Sequence, residues 1–172
     1  MLIRDFIPGE ETELRRVFMS SVHTLARDFY TEEQLNAWAS AACDQQKWAS
    51  KIIAMRPFVA TVEGQIAGYA DLQASGYIDH FFVSGDFSGQ GIGSALMQHL
   101  HEVAARRGLS QLSAQVSLSA ESFFIKHGFL VDERQTALVM GTPLANARMS
   151  KALLADNSFK PTPLCSTAWV TY

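Results

Sequence analysis

The chain has few residues of the kinds that build disulfide frameworks, zinc centres or membrane spans. It holds two cysteines in 172 residues, Cys43 and Cys165, and neither belongs to a C-x-x-C motif or a Cys/His cluster. Isolated cysteines of this kind predict neither a disulfide scaffold nor a zinc site. No apolar run approaches the ~18 residues of a membrane-spanning helix, and the N-terminus lacks a basic segment followed by an apolar one. We therefore expect a soluble, cytoplasmic protein with no membrane partner.

An excess of positive charge is also absent. Fourteen Lys and Arg residues stand against seventeen Asp and Glu residues, which gives a formal net charge of −3. This balance predicts no nucleic-acid partner. His99 and His101 lie two positions apart on a predicted helix, about 200° around its axis, so they cannot share one ion. We expect no bound metal.

What the chain does have is the apolar content of one compact domain, at 48% of its residues. Patterns of period two predict strands at 2–6, 58–63, 65–73, 76–83, 109–116, from 129 onward and at 145–149. Patterns of period 3.6 predict helices over 10–25, after a capping box of Thr31 and Gln34, over 92–107 and over 119–126. Asp44 caps a further turn or two before Pro57. The predicted apolar sides are Leu35, Trp38 and Ala42 in the second helix, and Ile92, Leu96, Leu100 and Val103 in the long helix. The fold class is therefore α/β, in the α+β sense.

The most informative stretch runs from Gly76 to Arg107, where a predicted strand is followed by a glycine-rich loop and a long helix. Glycines at 89, 91 and 93 let the backbone approach a ligand closely, and the first amides of the helix have no partner within it. The helix dipole adds about half a positive charge there, so the loop favours a phosphate or pyrophosphate. Neither Gly-Lys-Ser/Thr nor G-x-G-x-x-G is present, which excludes the Walker and dinucleotide loops.

Two segments resemble signatures of a known family. Val83 and then Ser88-Gly89-Gln90-Gly91-Ile92-Gly93-Ser94 are similar to motif A of the GNAT (Gcn5-related) N-acetyltransferases, Arg/Gln-x-x-Gly-x-Gly/Ala after a strand ending in valine. The segment Ala120-Glu121-Ser122-Phe123-Phe124-Ile125-Lys126-His127-Gly128-Phe129 resembles the second signature, Ala-x-x-Phe-Tyr-x-x-x-Gly-Phe. Because both motifs occur at the expected separation, the chain is identified as a member of this family.

The resemblance implies a GNAT fold over residues 1–152. That fold is a mixed, mostly antiparallel sheet of six to seven strands, flanked by about four helices, whose fourth and fifth strands splay apart. Residues 153–172 form a C-terminal extension to which no role is assigned. The implied activity is direct transfer of an acetyl group from acetyl-CoA to the amine of a small molecule or peptide, and the resemblance is compatible with a homodimer.

The resemblance also assigns the cofactor site. The pantetheine arm enters the splay and bonds to the backbone of Phe81, Phe82 and Val83, as an added strand would. The pyrophosphate binds the loop, and Ser117 stands where the family often has an asparagine that bonds the cofactor. The loop residues assigned to cofactor binding are Ser88, Gly89, Gln90, Gly91, Ile92, Gly93 and Ser94, and Phe124 of the second signature is assigned to the cofactor site as well.

The chain departs from the family at two positions. Ser88 replaces the usual Arg or Gln at the first motif position. Phe124 stands where many members carry the tyrosine that is thought to protonate the departing thiolate. These departures keep a second hypothesis open: a CoA-binding module that senses acyl-CoA with little or no turnover.

Three residues are candidates for catalysis. Asp79 is the first candidate for the base, since some family members carry a strand carboxylate at this distance from the valine. His80 has the better intrinsic pKa for a base, but alternation along a strand predicts that only one of the two lines the cleft. Tyr30, on the linker between the first two helices, is the first candidate for the missing acid, ahead of Tyr77 and Ser117. Alternatively, His80 and Tyr30 pack in the core. Asp71, unusual inside a strand, is either structural or faces the cleft.

Overall fold

The computed structural model of the chain describes residues 1–42 and 44–153. Cys43, Cys165 and nearly all of the C-terminal extension lie outside the described residues. The strands are β1 (Leu2–Asp5), β2 (Phe58–Val62), β3 (Gln65–Ala70), β4 (Tyr77–Ile78), β5 (Phe81–Val83), β6 (Gln111–Ser117), β7 (Leu130–Val139) and β8 (Thr142–Ala152). The helices are α1 (Glu11–Ser20), α2 (Glu32–Trp38), α3 (Gln45–Met55), α4 (Ile92–Arg106) and α5 (Glu121–Lys126). None of the helices in this part of the chain is long and apolar enough to cross a membrane.

The strands form two four-stranded sheets, in the orders β1-β2-β3-β5 and β4-β6-β8-β7. All pairings are antiparallel except that of β4 with β6. Strands β5 and β6 belong to different sheets, and a cleft opens between them. The predicted fold class and the splay are confirmed, with eight strands where six or seven were expected.

The prediction of one continuous strand over 76–83 is wrong, because the strand is interrupted at Asp79 and His80 and forms two strands, β4 and β5. The predicted alternation of faces fails at the same place. Ile78 belongs to the same core cluster that Phe81 and Val83 pack against, although a regular strand would put Ile78 on the opposite face. The break is what transfers the chain from one sheet to the other.

Asp71 stabilises this break. Its Oδ1 atom accepts the backbone N–H groups of Asp79, at 2.8 Å, and of His80, at 2.7 Å. Its own N–H donates to the carbonyl of His80 at 3.0 Å. The residue is 1% exposed, so the carboxylate satisfies two consecutive amides that a regular strand would direct to neighbours on opposite sides. Asp71 therefore holds the connection between the two sheets.

The second predicted helix is two helices. Thr31 and Gln34 form the expected capping box at the start of α2, and Asp44 caps α3 by accepting the N–H groups of Gln46 and Lys47. The helix α3 runs for 11 residues, longer than the turn or two expected, and ends at Arg56 in a left-handed conformation before Pro57. Ala42, placed on the apolar side of a continuous helix by the prediction, is exposed between them.

The two sheets and α4 enclose the main core. Ile92, Leu96, Leu100 and Val103 form the predicted stripe of α4 and are all buried in a core cluster that includes residues of both sheets. A second cluster packs α1 and α3 on the opposite face of the first sheet, around Leu14, Ile52 and Tyr69. The helix α4 is therefore anchored along its length, and its first turn is fixed at the mouth of the cleft.

Removing the Asp71 carboxylate should destabilise the fold through the two amides it accepts. We expect Asp71→Ala to lower the free energy of unfolding by about 2–4 kcal/mol, since each buried amide left without a partner costs about 1–3 kcal/mol. Asp71→Asn retains an accepting oxygen and should lose less than half as much. Urea unfolding of the three proteins measures the difference, and equal losses in both variants would contradict the role given to the carboxylate.

Candidate active site

Two cavities of similar size meet at the break between β4 and β5. The first, of about 590 Å³, lies in the cleft between β5 and β6. The second, of about 580 Å³, lies between α1, α3 and the β7–β8 hairpin. They share a wall formed by Trp38, Asp79, Phe82, Gln115 and Ser117. A molecule bound in one cavity can therefore contact a molecule bound in the other.

The first cavity combines a free strand edge with the glycine loop. Among the described residues, no strand pairs with the outer edge of β5. Two bonds between β3 and its neighbour, from Asp71 N to His80 O and from Ser84 N to Ala67 O, show which residues face each other across the pair. Because backbone groups alternate in direction along a strand, the N–H and C=O of Phe82 point toward β3, and those of Phe81 and Val83 point toward the cleft. Phe81 and Val83 thus offer backbone donors and acceptors to an extended ligand, whereas Phe82 contributes its ring.

The loop presents its glycines to this cavity. Gly89 and Gly91 have φ of +76° and +81°, and an added Cβ at either position would meet no protein atom within 4 Å. Gly91 caps α4, whose first intrahelical bond runs from Ala95 N to Gly91 O, so the amides of the first turn are free to bind an anion. Gln90, which the resemblance assigned to the site, does not line the cavity.

Two of the assigned positions have packing roles as well. A Cβ at Gly93 would approach the ring of Phe123 to 3.2 Å, so this glycine permits close contact between α4 and α5. Phe124 is 3% exposed and packs edge-to-face on Phe81 and Phe129, at centroid distances of 5.6 and 5.0 Å. A buried phenyl ring without a hydroxyl group therefore stands at the motif position where many family members carry tyrosine.

Asp79 lies at the junction of the two cavities. Its Oδ2 atom is 3.0 Å from Lys51 Nζ and 3.9 Å from His80 Nε2, and its side chain is 32% exposed. Because the strand is broken here, Asp79 and His80 both line the second cavity. Of the two, Asp79 also lines the first cavity, in the cleft between β5 and β6, and His80 does not, which agrees with the expectation that only one of them lines that cleft.

His80 is buried and electrically neutral near pH 7. Burial, reinforced by the positive charge of Lys51 and opposed by Asp79, lowers the pKa of His80 to about 4. Its Nδ1 atom lies 3.1 Å from the hydroxyl of Tyr69, which is fully buried. Because that hydroxyl has no other acceptor among the described residues, we assign its proton to the bond with Nδ1 and the ring proton to Nε2, which lies 3.9 Å from the Asp79 carboxylate. In this tautomer His80 is a hydrogen-bond donor to the cavity.

Tyr30 is tied to the backbone of two distant segments. Its hydroxyl donates to the carbonyl of Ala145 at 2.6 Å and accepts the N–H of Leu118 at 2.9 Å. The side chain is 7% exposed, and burial raises the pKa of its hydroxyl, partly offset by the Leu118 amide. The hydroxyl proton is therefore directed at β8, and the geometry favours a positioning role for this residue.

Several side chains at the site carry no motif that the sequence could reveal. Lys51 reaches Asp79 from α3, and Lys126 lines the first cavity from the end of α5. Asn146 faces Ser117 across β6 and β8 and lines the second cavity, where its buried Oδ1 atom has no partner in the described structure. Ser117 bonds Ser119 at 2.9 Å. Of Lys51, Lys126 and Asn146, only Lys126 falls within a recognised motif, at a position where the motif admits any residue. In the described ranges, no group of three His, Cys, Asp or Glu residues could hold a metal ion.

Comparisons with known proteins agree with this architecture. The family model for an acetyltransferase (GNAT) domain matches residues 26–150. The uncharacterized N-acetyltransferase YafP of Escherichia coli K12 is 29% identical over 147 residues, which cover 86% of this chain and 93% of that protein.

Two solved structures are similar in fold. A GCN5-related N-acetyltransferase from Rhodopseudomonas palustris is 34% identical, with a TM-score of 0.84 over 88% of this chain and 95% of that one. The PaiA N-acetyltransferase of Thermoplasma acidophilum, solved in complex with coenzyme A, is 16% identical, with a TM-score of 0.71 over 88% of this chain and 98% of that one. At that identity the second likeness concerns the fold alone.

The lowered pKa of His80 predicts that acid destabilises the protein. Between pH 6.5 and about 4 the unfolded chain binds a proton at this residue and the folded chain does not, so the free energy of unfolding falls as the pH falls. The full effect is roughly 3 kcal/mol. His80→Gln should flatten this dependence in urea unfolding measured across that range. The raised pKa of Asp71 has the opposite effect on the pH dependence, so the quantity to compare is the difference in unfolding free energy between the wild-type protein and His80→Gln at each pH. A difference that does not change with pH would refute the assignment.

Proposed function

Because the chain belongs to the GNAT acetyltransferase family, we propose that it transfers the acetyl group of acetyl-CoA to the amine of a small molecule or peptide. The observation that carries this proposal is the wall shared by the two cavities, which contains the Asp79 carboxylate. In this reaction the thioester lies in the first cavity and the amine in the second. The attacking nitrogen and the acetyl carbon then meet at Asp79.

The first cavity suits acetyl-CoA along its whole length. The amide groups of pantetheine pair with the free edge of β5 at Phe81 and Val83. The pyrophosphate receives hydrogen bonds from the amides at the start of α4, where Gly89 and Gly91 leave open space. Lys126 adds positive charge to the lining of this cavity.

Asp79 is the proposed general base. An amine is protonated at neutral pH and must lose a proton before it can attack. The Asp79 carboxylate attracts the ammonium and takes one of its protons, while the Nε2–H of His80 supports the charge on the carboxylate. The nitrogen forms a bond to the acetyl carbon, and the bond from that carbon to sulfur breaks. The backbone amides on the outer edge of β5 are the nearest donors for the carbonyl oxygen that becomes negative.

Among the described residues, no tyrosine lines the first cavity, from which the thiolate departs. Phe124 packs in the position of the family's usual acid, and the Tyr30 hydroxyl donates to Ala145. We assign Ser117, which lines both cavities beside Ser119, to hydrogen bonding with the cofactor near its sulfur. The thiolate leaves as an anion and takes its proton afterwards.

A sensor of acyl-CoA with little turnover is the second candidate function, and the aromatic ring at Phe124 favours it. A thiol-release assay with acetyl-CoA and a panel of amino acids, polyamines, aminoglycosides and peptide N-termini separates the two. Steady release of CoA with one acceptor class supports the enzyme. Tight binding of acetyl-CoA without release in any class supports the sensor.

Loss of the Asp79 charge should slow the reaction without affecting the cofactor. We expect Asp79→Asn to lower kcat by about 100-fold or more, the scale of a general base, with the Kd of acetyl-CoA unchanged. Asp28→Asn is the matched control, because Asp28 is 85% exposed on the α1–α2 linker. A wild-type kcat in Asp79→Asn would move the proton transfer to another group.

The glycine loop can be tested with a pair of variants that share the same backbone strain. Valine is unfavourable at positive φ, and Gly91 (+81°) and Gly108 (+66°) lie at opposite ends of α4 with open space around each. Both substitutions should lower the free energy of unfolding by similar amounts, roughly 1–2 kcal/mol. Only Gly91→Val should weaken CoA binding, by at least tenfold in calorimetry. Equal affinities in the two variants would contradict the loop assignment.

A further inference from the structure

The second cavity carries an excess of positive charge. Arg15 from α1 and Lys47 and Lys51 from α3 line it, and Asp79 is the one carboxylate in its lining within the described residues. Lys51 already pairs with that carboxylate at 3.0 Å. The lining therefore carries a net formal charge of +2, although the whole chain carries −3. A cavity of this kind attracts a ligand with a negative group.

The two lysines are placed to act together. They stand four positions apart on α3, so their side chains project from the same face of the helix. No carboxylate of the described chain lies within salt-bridge distance of Lys47. Arg15 is held by the carbonyl of Ala41 at 3.1 Å. The lysines therefore form the adaptable part of the positive surface, and Asp79 lies at one end of it.

The rest of the lining is largely apolar and aromatic. Phe18 stacks on Trp48 at 5.3 Å and packs edge-to-face on Phe82 at 4.9 Å. Trp38, Met19, Val139 and Leu144 complete the apolar walls. Asn146 adds a buried acceptor without a partner. This surface fits an apolar side chain, and the charges of the cavity are concentrated near Asp79 and α3.

We propose that the acceptor is an α-amino acid with an apolar side chain, whose carboxylate binds Lys51 and Lys47 and whose amine binds Asp79. This assignment of substrate class rests on the acetyl transfer proposed above. The free amino acid is a zwitterion, so it replaces the ion pair between Asp79 and Lys51 with two pairs of its own, ammonium to Asp79 and carboxylate to Lys51. The carboxylate also fixes the direction from which the nitrogen approaches the thioester.

The proposed chemistry has a consequence for product release. The ammonium nitrogen gives up two of its three protons as it acquires the acetyl group, one to the Asp79 carboxylate and one that ends on the departed thiolate, and the amide that results carries no charge. The product keeps its carboxylate contact and loses its attraction to Asp79. The same charges exclude polyamines and aminoglycosides, because a second cationic group on the ligand would lie against Lys47, Lys51 and Arg15.

The test compares acceptors that differ only in the carboxylate. Phenylalanine is paired with phenethylamine and leucine with 3-methylbutylamine, and kcat/KM is measured for each with saturating acetyl-CoA. We expect the amino acid to exceed its paired amine by about tenfold or more in the wild-type protein. The ratio should fall at least tenfold in Lys51→Gln, mainly through KM, and by a smaller factor in Lys47→Gln. Arg27→Gln is the control that removes a cation outside the cavities, since Arg27 is 69% exposed, and it should keep the wild-type ratio.

A binding measurement distinguishes failure of this proposal from failure of acetyl transfer. Calorimetry of the CoA-saturated protein with phenylalanine and with N-acetylphenylalanine measures binding at Lys51 and Lys47 without turnover. Phenylalanine binding that is lost in Lys51→Gln, with no acetylation of any acceptor class, would support the amino-acid site and overturn the proposed acetyl transfer. Equal rates for amino acids and their paired amines, or a ratio unchanged in both lysine variants, would overturn the amino-acid proposal and leave the transferase standing. If amino acids neither bind nor are acetylated, the amino-acid proposal is overturned as well.

Discussion

The hydrogen bonds from two consecutive amides to the Asp71 carboxylate are the constraint on which the rest of the site depends. A chain that leaves one sheet and enters another exposes backbone groups at the crossing, and these need a partner when buried. Asp71 Oδ1 accepts both amides. The carboxylate thereby lets β4 pair with β6 while β5 pairs with β3. The cleft between the sheets, and the projection of Asp79 and His80 into one cavity, both follow from this arrangement.

The two cavities bind ligands through different kinds of group, because their walls differ in how many backbone groups are left without a hydrogen-bond partner. The first cavity is bounded by a free strand edge and a helix start, so main-chain groups dominate its binding chemistry. The second is bounded by helix faces and a hairpin whose backbone groups are paired, so side chains decide what enters it. This explains why glycines suffice on one side, while lysines, aromatic rings and a carboxylate are needed on the other.

The sequence predicted local features well and contacts between distant segments poorly. The glycine loop, the capping box at Thr31 and the buried stripe of α4 depend on neighbouring residues, and the structure contains all three. The break at Asp79 could not be predicted, because residues 76–83 have the composition of a continuous strand and the group that permits the break is at Asp71. Similarly, Lys51 reaches the site from α3, 28 positions away from Asp79 in the sequence, and no motif marks it. Asp71 was noticed as unusual, but only the fold reveals which amides it accepts.

The Tyr30 hydroxyl has a consequence for the order in which the molecule assembles. Its partners lie 88 and 115 positions further along the chain, so the linker before α2 cannot reach its final place until β6 and the start of β8 are available. Closing a loop of that length costs entropy that is recovered only when the distant contacts form. The wall of the second cavity is therefore among the last parts of the domain to be completed during synthesis, and an unfinished chain has no closed acceptor cavity.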